Sequence, residues 1–223
     1  MENKLIHNTA VRLTGVLNQY VQREGLELTK IAYGIELLLI SISKLVVVYT
    51  LAIITGVLMQ TLIIQGAFSL LKRYSFGLHA LNSTICTLIS CALFVFIPLL
   101  LTGRGIGNGV VIVAFIPLIF LLYMYAPADT KARPLVGSRL RTNLKIRAII
   151  CAFMLFALTI LMPDESIKLL LTLGAAYQCI LILPFTYKIL RRSERNYEKY
   201  EQAGKQEKWR TIVEKSDAIV AVR

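Results

Sequence analysis

Apolar residues in this chain come in long blocks, separated by short segments that are alternately basic and nearly uncharged. No other feature constrains the fold as much. A globular core uses apolar positions that recur every second, or every third to fourth, residue. A bilayer instead asks for about twenty consecutive apolar residues per helical crossing. Composition agrees, because 56% of the 223 residues are hydrophobic and only 17% are charged. Soluble domains carry roughly a quarter charged residues. Disordered chains are charged and poor in Leu and Ile, so disorder is excluded, and an ordinary soluble enzyme with it. The expected fold class is all-α, a polytopic integral membrane protein.

Residues 31–71 are almost continuously apolar, interrupted by Glu36 and Lys44. That length predicts two crossings with a turn near Thr55 and Gly56. The two interrupting charges should face protein or the interface, because isolated charges facing lipid are costly. Residues 85–101 predict a third crossing, a glycine-rich turn follows at 102–109, and residues 110–126 return. The turn lacks the GK[ST] ending of a phosphate-binding loop. A final pair is expected at 148–162 and 167–187, around the loop 163–166. The segments at Lys72-Arg73, at 131–147 and after residue 188 are basic, whereas the loops near 56, at 102–109 and at 163–166 carry only Arg104, Asp164 and Glu165. Basic loops stay in the cytoplasm, so six transmembrane helices with both termini cytoplasmic satisfy every loop.

Three regions follow. Residues 1–30 predict an amphipathic helix, with Ile6, Ala10, Leu13, Leu17, Tyr20 and Val21 on one face. It is too polar to span, and either lies on the membrane surface or packs on a cytoplasmic loop. The polar start argues against a cleavable signal peptide. Residues 31–190 form the six-span domain and 191–223 a charged cytoplasmic tail. The net charge of +12, from 25 basic and 13 acidic residues, reads as topology and attraction to anionic lipid head groups. Basic and aromatic residues do not interleave as in a stacking platform, so nucleic acid is not an expected partner. Cys86, Cys91, Cys151 and Cys179 all lie in apolar segments without CxxC or Cys/His metal spacing, and the chain holds two histidines. Neither a disulfide framework, nor a metal, nor a cofactor is expected.

The segment from Lys72 to Cys86 concentrates the candidate chemistry. His79 lies at the cytoplasmic mouth of a span and Cys86 follows it. A cysteine attacks as its thiolate, and an imidazole takes and returns the proton. Spacing alone is a weak signal, because a membrane cysteine is usually a core filler. Asn82 and Ser83 are favoured N-cap residues, and a helix starting there puts Cys86 near its first turn, where dipoles and unpaired N–H groups favour an anion. Lys72 and Arg73 add positive potential. Seven residues of straight helix rise about 10.5 Å, too far for a His79–Cys86 hydrogen bond. The chain must therefore bend before the span, and Gly77 supplies the freedom.

Arg73, Gly77, His79, Ala80 and Cys86 resemble the core motif of the AgrB family. Tyr125, Ala126 and Pro127, followed by the basic stretch from Lys131 to Arg133, resemble its second signature. Span pattern and length are similar as well, over residues 1 to about 190. The family's usual glycine pair is here Phe76-Gly77, and the tail beyond about 195 is longer than the family explains. The resemblance implies a thiol protease of the cell membrane of a Gram-positive bacterium, with its site on the cytoplasmic side. Such an enzyme cuts the C-terminal part from an AgrD-like precursor peptide. Cys86 would form the acyl-enzyme, and a side chain of the peptide, a cysteine for a thiolactone or a hydroxyl for a lactone, would then close a ring to yield a quorum-sensing autoinducer, a signal tied to virulence. His79 and Cys86 are the implied catalytic residues, with Arg73, Gly77, Asn82, Ser83, Asp129, Lys131 and Arg133 as binding or supporting residues.

Two roles stay open at this level. The basic loop 131–147 either holds an acidic part of the precursor or serves only topology and lipid. Asp129 either orients His79 or caps its own turn. A second copy of the chain is a further candidate partner. The rival reading is a non-enzymatic transporter or signalling partner. It lacks the internal repeat that transporters often show. An enzyme acting on lipid head groups through a metal would need a carboxylate cluster, and the spans offer only Glu36. The loop charges also predict a labelling pattern in a cysteine-free background. Cysteines placed at Gly107 and Ser166 should react with an impermeant maleimide from outside intact cells, and one at Ser138 should not. External labelling at Ser138 would overturn the orientation.

Overall fold

A computed structural model describes residues 4–77, 83–130, 135–190 and 196–203. Its described residues are overwhelmingly helical and contain no strand, only an isolated bridge between Phe76 and Ala128. The helices are α1 (Lys4–Val21), α2 (Gly25–Ile54), α3 (Leu58–Ser75), α4 (Ser83–Cys91), α5 (Ile97–Leu100), α6 (Asn108–Tyr125), α7 (Ser138–Leu161), α8 (Glu165–Ile182) and α9 (Pro184–Ile189). A π-helical turn, Ala92–Phe96, joins α4 to α5, so Ser83 to Leu100 is one helical run. Among the described residues, α2, α6, α7 and α8 are long and apolar enough to cross a bilayer. This is an all-α membrane protein. The other two expected crossings fall on α3, which carries Gln60, Gln65, Lys72 and Arg73, and on the shorter apolar run Thr84–Leu100.

The chain divides into two compact units, Met1–Thr61 with Asn82–Leu99, and Leu62–Leu81 with Leu100–Arg223. In the first, the amphipathic helix α1 packs against α2. His7 Nδ1 lies 3.4 Å from Glu36 Oε2, so α1 supplies the partner that an acid in an apolar helix needs. The rest of α2 exposes Leu38, Ile42, Val46 and Ile53, surface that suits lipid. The turn falls where the sequence predicts it. Gly56 takes φ 72°, Gly56 N–H donates to Ile53 O at 3.1 Å, and Val57 N–H donates to Ala52 O at 2.9 Å. These two bonds are a Schellman closure, which favours glycine at the left-handed position. Pro98 has no N–H to give the carbonyl four residues back, that of Phe94. The Thr61 hydroxyl donates to Phe94 O at 2.6 Å.

In the second unit, α8 is the central helix. Of its apolar window 56% is buried, against 11% for α2. Leu71, Phe115, Leu122, Leu155, Ala175 and Ile182 anchor one continuous core, and the rings of Phe115 and Phe156 stand 5.2 Å apart. The nearly uncharged loops meet at one end, where Ile106 N–H donates to Glu165 O at 3.1 Å. Asp164 starts α8 by accepting from Ser166 N–H at 2.7 Å. The expected 131–147 loop is partly helix, because α7 begins at Ser138 and carries Arg139, Arg141, Lys145 and Arg147 in its first turns. A segment rich in Leu, Arg and Lys has good helix propensity, and loop charge says nothing about backbone form. The expected last span breaks at Leu183, with Pro184 starting α9.

Close approach sets α8 against α3. A Cβ on Gly174 would sit 2.6 Å from Ile64 O and 2.7 Å from Ala67 Cβ. Small residues let membrane helices approach to such distances. Gly174→Ala should therefore force the helices apart and cost about 1–3 kcal/mol, read as a lower unfolding midpoint in detergent. An unchanged midpoint would contradict this packing.

Candidate active site

The second unit gathers its non-helical backbone at the end opposite the 102–107 and 163–166 loops. Helix α3 stops at Ser75, after which Phe76 and Gly77 take φ 57° and 111°. Both values favour glycine, and Phe76 stands where the AgrB-type motif usually has its first glycine. Helix α6 stops at Tyr125, where Pro127 cannot continue it. The two freed segments pair: Ala128 N–H donates to Ser75 O at 2.9 Å, and Gly77 N–H donates to Ala128 O at 3.1 Å. Two motifs far apart in the chain thus form one short parallel bridge.

Gln178 on α8 pins this bridge. Its Nε2 donates to Phe76 O at 2.6 Å and to Ser75 Oγ at 2.7 Å, and the side chain is fully buried. Gly77 lies directly on α8 as well, since a Cβ there would stand 3.3 Å from Ile182 Cγ2 and 3.4 Å from Leu181 O. The sequence reading missed Gln178. The signal was there: a lone amide in an apolar helix is expensive unless it serves something.

Arg73 and Gly77 come together at a cleft of about 430 Å³ that also includes Lys72, Phe76, Ala128 and Thr130. Arg73 is exposed, with its guanidinium 6.0 Å from the Tyr74 ring centroid. Asp129 is buried, and its groups are engaged. Its carboxylate oxygens accept from Asn196 N–H at 3.1 Å and Tyr197 N–H at 2.8 Å. Its carbonyl accepts from the Tyr187 hydroxyl at 2.8 Å. The cap it forms is for the C-terminal segment rather than for its own turn, and no local sequence signal pointed there. His79, Asn82, Lys131 and Arg133 lie outside the described residues.

The first unit carries the candidate nucleophile. Ser83 begins α4 and Cys86 lies in its first turn. Cys86 is partly exposed, whereas Cys91, Cys151 and Cys179 are buried. Cys151 and Cys179 turn their thiols to the carbonyls of Leu70 and Leu118, at 3.6 and 3.5 Å. Of the four, Cys86 is the one with part of its surface exposed.

Comparison with known proteins decides the family. The family model "AgrB: Accessory gene regulator B" matches residues 10–182. The chain belongs to the accessory gene regulator B family. A "Putative AgrB-like protein" of Clostridium acetobutylicum is 40% identical over 190 residues, covering 85% of this chain and 91% of that protein. One from Listeria monocytogenes is 41% identical over 172 residues, 77% of this chain and 84% of its own length. The "Accessory gene regulator protein B" of Staphylococcus haemolyticus is 31% identical over 173 residues, 75% of this chain and 90% of that protein. No solved structure matches the chain.

For this AgrB-family chain the pinned bridge yields a prediction. Gln178→Leu removes the donor to Phe76 O at nearly constant volume, and an unmet buried carbonyl costs about 1–3 kcal/mol. Gly77→Ala adds left-handed strain of about 1–2 kcal/mol. Both should lower the unfolding midpoint in detergent. A midpoint unchanged in both variants would show that the bridge does not hold this end of the unit.

Proposed function

We propose that this AgrB-family protein is a cysteine endopeptidase of the cytoplasmic membrane that processes an AgrD-like precursor peptide. The observation that carries the reading is the contrast among the cysteines: Cys86 is partly open in the first turn of α4, while the other three are buried. Negative charge is best tolerated at a helix start, which suits a thiolate nucleophile.

The reaction runs in two halves. Cys86 sulfur attacks the scissile carbonyl as His79 accepts the thiol proton, and His79 then returns a proton to the leaving amine. The C-terminal fragment departs, and the N-terminal part remains as a thioester on Cys86. A cysteine within the peptide attacks that thioester, forms the thiolactone and restores the enzyme thiol. One thioester is exchanged for another, so ring closure competes with hydrolysis if water is kept out. Arg73, beside the bend, and the basic start of α7 offer charge to an acidic precursor. Six crossings with cytoplasmic termini, in a Gram-positive cell, complete the reading and put this chemistry on the side where the precursor is made.

Purified protein in liposomes, given a cognate precursor, tests it. Cys86→Ala should abolish release of the C-terminal fragment, while Cys91→Ala, Cys151→Ala and Cys179→Ala should retain it. His79→Ala should lower the rate by about two to four orders of magnitude, the usual worth of general-base help. Fragment release by Cys86→Ala would remove the nucleophile, and near-normal turnover in His79→Ala would remove the dyad.

A further inference from the structure

The C-terminal segment 196–203 is seated in the second unit by contacts that the reading above does not use. Residues 197–203 are helical. At the start of that helix, Asn196 and Tyr197 donate their backbone N–H groups to the two carboxylate oxygens of Asp129, at 3.1 and 2.8 Å. One turn later, Glu201 Oε1 accepts from Arg141 Nη1 at 2.6 Å and from Gly137 N–H at 3.0 Å. The Arg141 guanidinium also lies 3.9 Å from the Tyr197 ring centroid. The Arg141 and Glu201 side chains are 21% and 30% exposed, so the pair is partly desolvated and less screened than a surface pair.

These groups read three features of one peptide: the open N–H groups of a helix start, an aromatic ring, and a carboxylate four residues after that ring. Charge is complementary as well. Residues 135–147 carry Arg139, Arg141, Lys145 and Arg147 and no acid, whereas 196–203 carries Glu198 and Glu201 against Lys199. The receptor is larger than its occupant, because a cleft of about 330 Å³ runs beside it between Tyr125, Pro127, Lys145 and Pro184.

We propose that Asp129, Gly137 and Arg141 form a docking site for an acidic, aromatic peptide segment, and that residues 196–203 are a tethered competitor which an incoming peptide must displace. The role in processing rests on the peptidase reading above; the docking site itself does not. A ligand tethered by a short linker acts at an effective concentration on the order of millimolar, so it masks the site from micromolar peptide. A competitor of this kind raises KM and leaves kcat alone.

The test uses the full-length protein in nanodiscs and a fluorescein-labelled peptide of residues 196–203, read by fluorescence anisotropy. Tyr197→Ala/Glu201→Lys, which frees the site, should bind the peptide at least about tenfold more tightly than the unaltered chain. Adding Arg141→Gln to that variant should abolish binding. Glu201→Gln is the milder releasing change and should shift binding in the same direction should the double variant fail to fold. Equal binding with and without release, or binding that survives Arg141→Gln, would overturn the docking site. In the liposome assay the releasing variant should show a KM several-fold lower for the precursor at unchanged kcat; an unchanged KM would overturn the competitor role. Cys86→Ala should bind the peptide normally, so a failed peptidase assignment shows as fragment release by Cys86→Ala while the binding order stands.

Discussion

Backbone that leaves a helix inside a packed bundle must find its hydrogen bonds in the protein, because the packed interior offers no water. Ser75, Phe76 and Gly77 on one side and Ala126, Ala128 and Asp129 on the other are such backbone. Ser75, Gly77 and Ala128 meet the demand by pairing with each other, Phe76 draws in the amide of Gln178, Ala126 N–H donates back to Leu122 O, and the Asp129 carbonyl accepts from the Tyr187 hydroxyl. Everything at this end of the unit follows. The end of α3 is tied to the end of α6, both are tied to α8, and Arg73 is held at the mouth of the cleft that the bridge creates. The positive φ of Phe76 and Gly77 is tolerated because the bonds around it over-determine the turn.

Packing and charge divide the labour between the ends of the second unit. The loops with little charge close against each other through Ile106 and Glu165, and α8 starts there on an Asp164 cap. Between the ends, Gly174 lets α8 lie directly on the backbone of α3. At the other end, the basic first turns of α7 make specific contacts. Lys145 lies over the Tyr123 ring at 4.3 Å, and Arg141 is shared between Tyr197 and Glu201. The same charges that orient a chain in a membrane thus become specific contacts once a helix spaces them.

The four cysteines illustrate how burial sorts residues of one chemical type. Cys151 and Cys179 behave as small core hydrophobes with a weak donor turned to a carbonyl, and Cys91 is buried in the run that leads to the π turn. Cys86, near the start of the same run, keeps access to its surroundings. Access is one requirement of reactivity, and of these four positions only Cys86 has it.

The sequence by itself determined the fold class, the turn at Thr55-Gly56, the bounds of α6 and the family, but not the start of α7 at Ser138 or the break at Leu183. Long apolar blocks, the Thr55-Gly56 turn, the glycine-rich loop before α6 and the proline after Tyr125 are local signals, and local backbone physics acts on them directly. The motif residues from Arg73 to Cys86 and around Tyr125 are enough to point to the AgrB family. Only the tertiary structure decided that those motifs pair through Phe76 and Ala128, that Gln178 serves the bridge, and that Asp129 holds residues 196 and 197. The reason is physical. Helix formation is settled by neighbours within a turn, whereas the partner of a freed carbonyl or a buried carboxylate depends on which distant segment packing brings within hydrogen-bond reach. No periodicity records that.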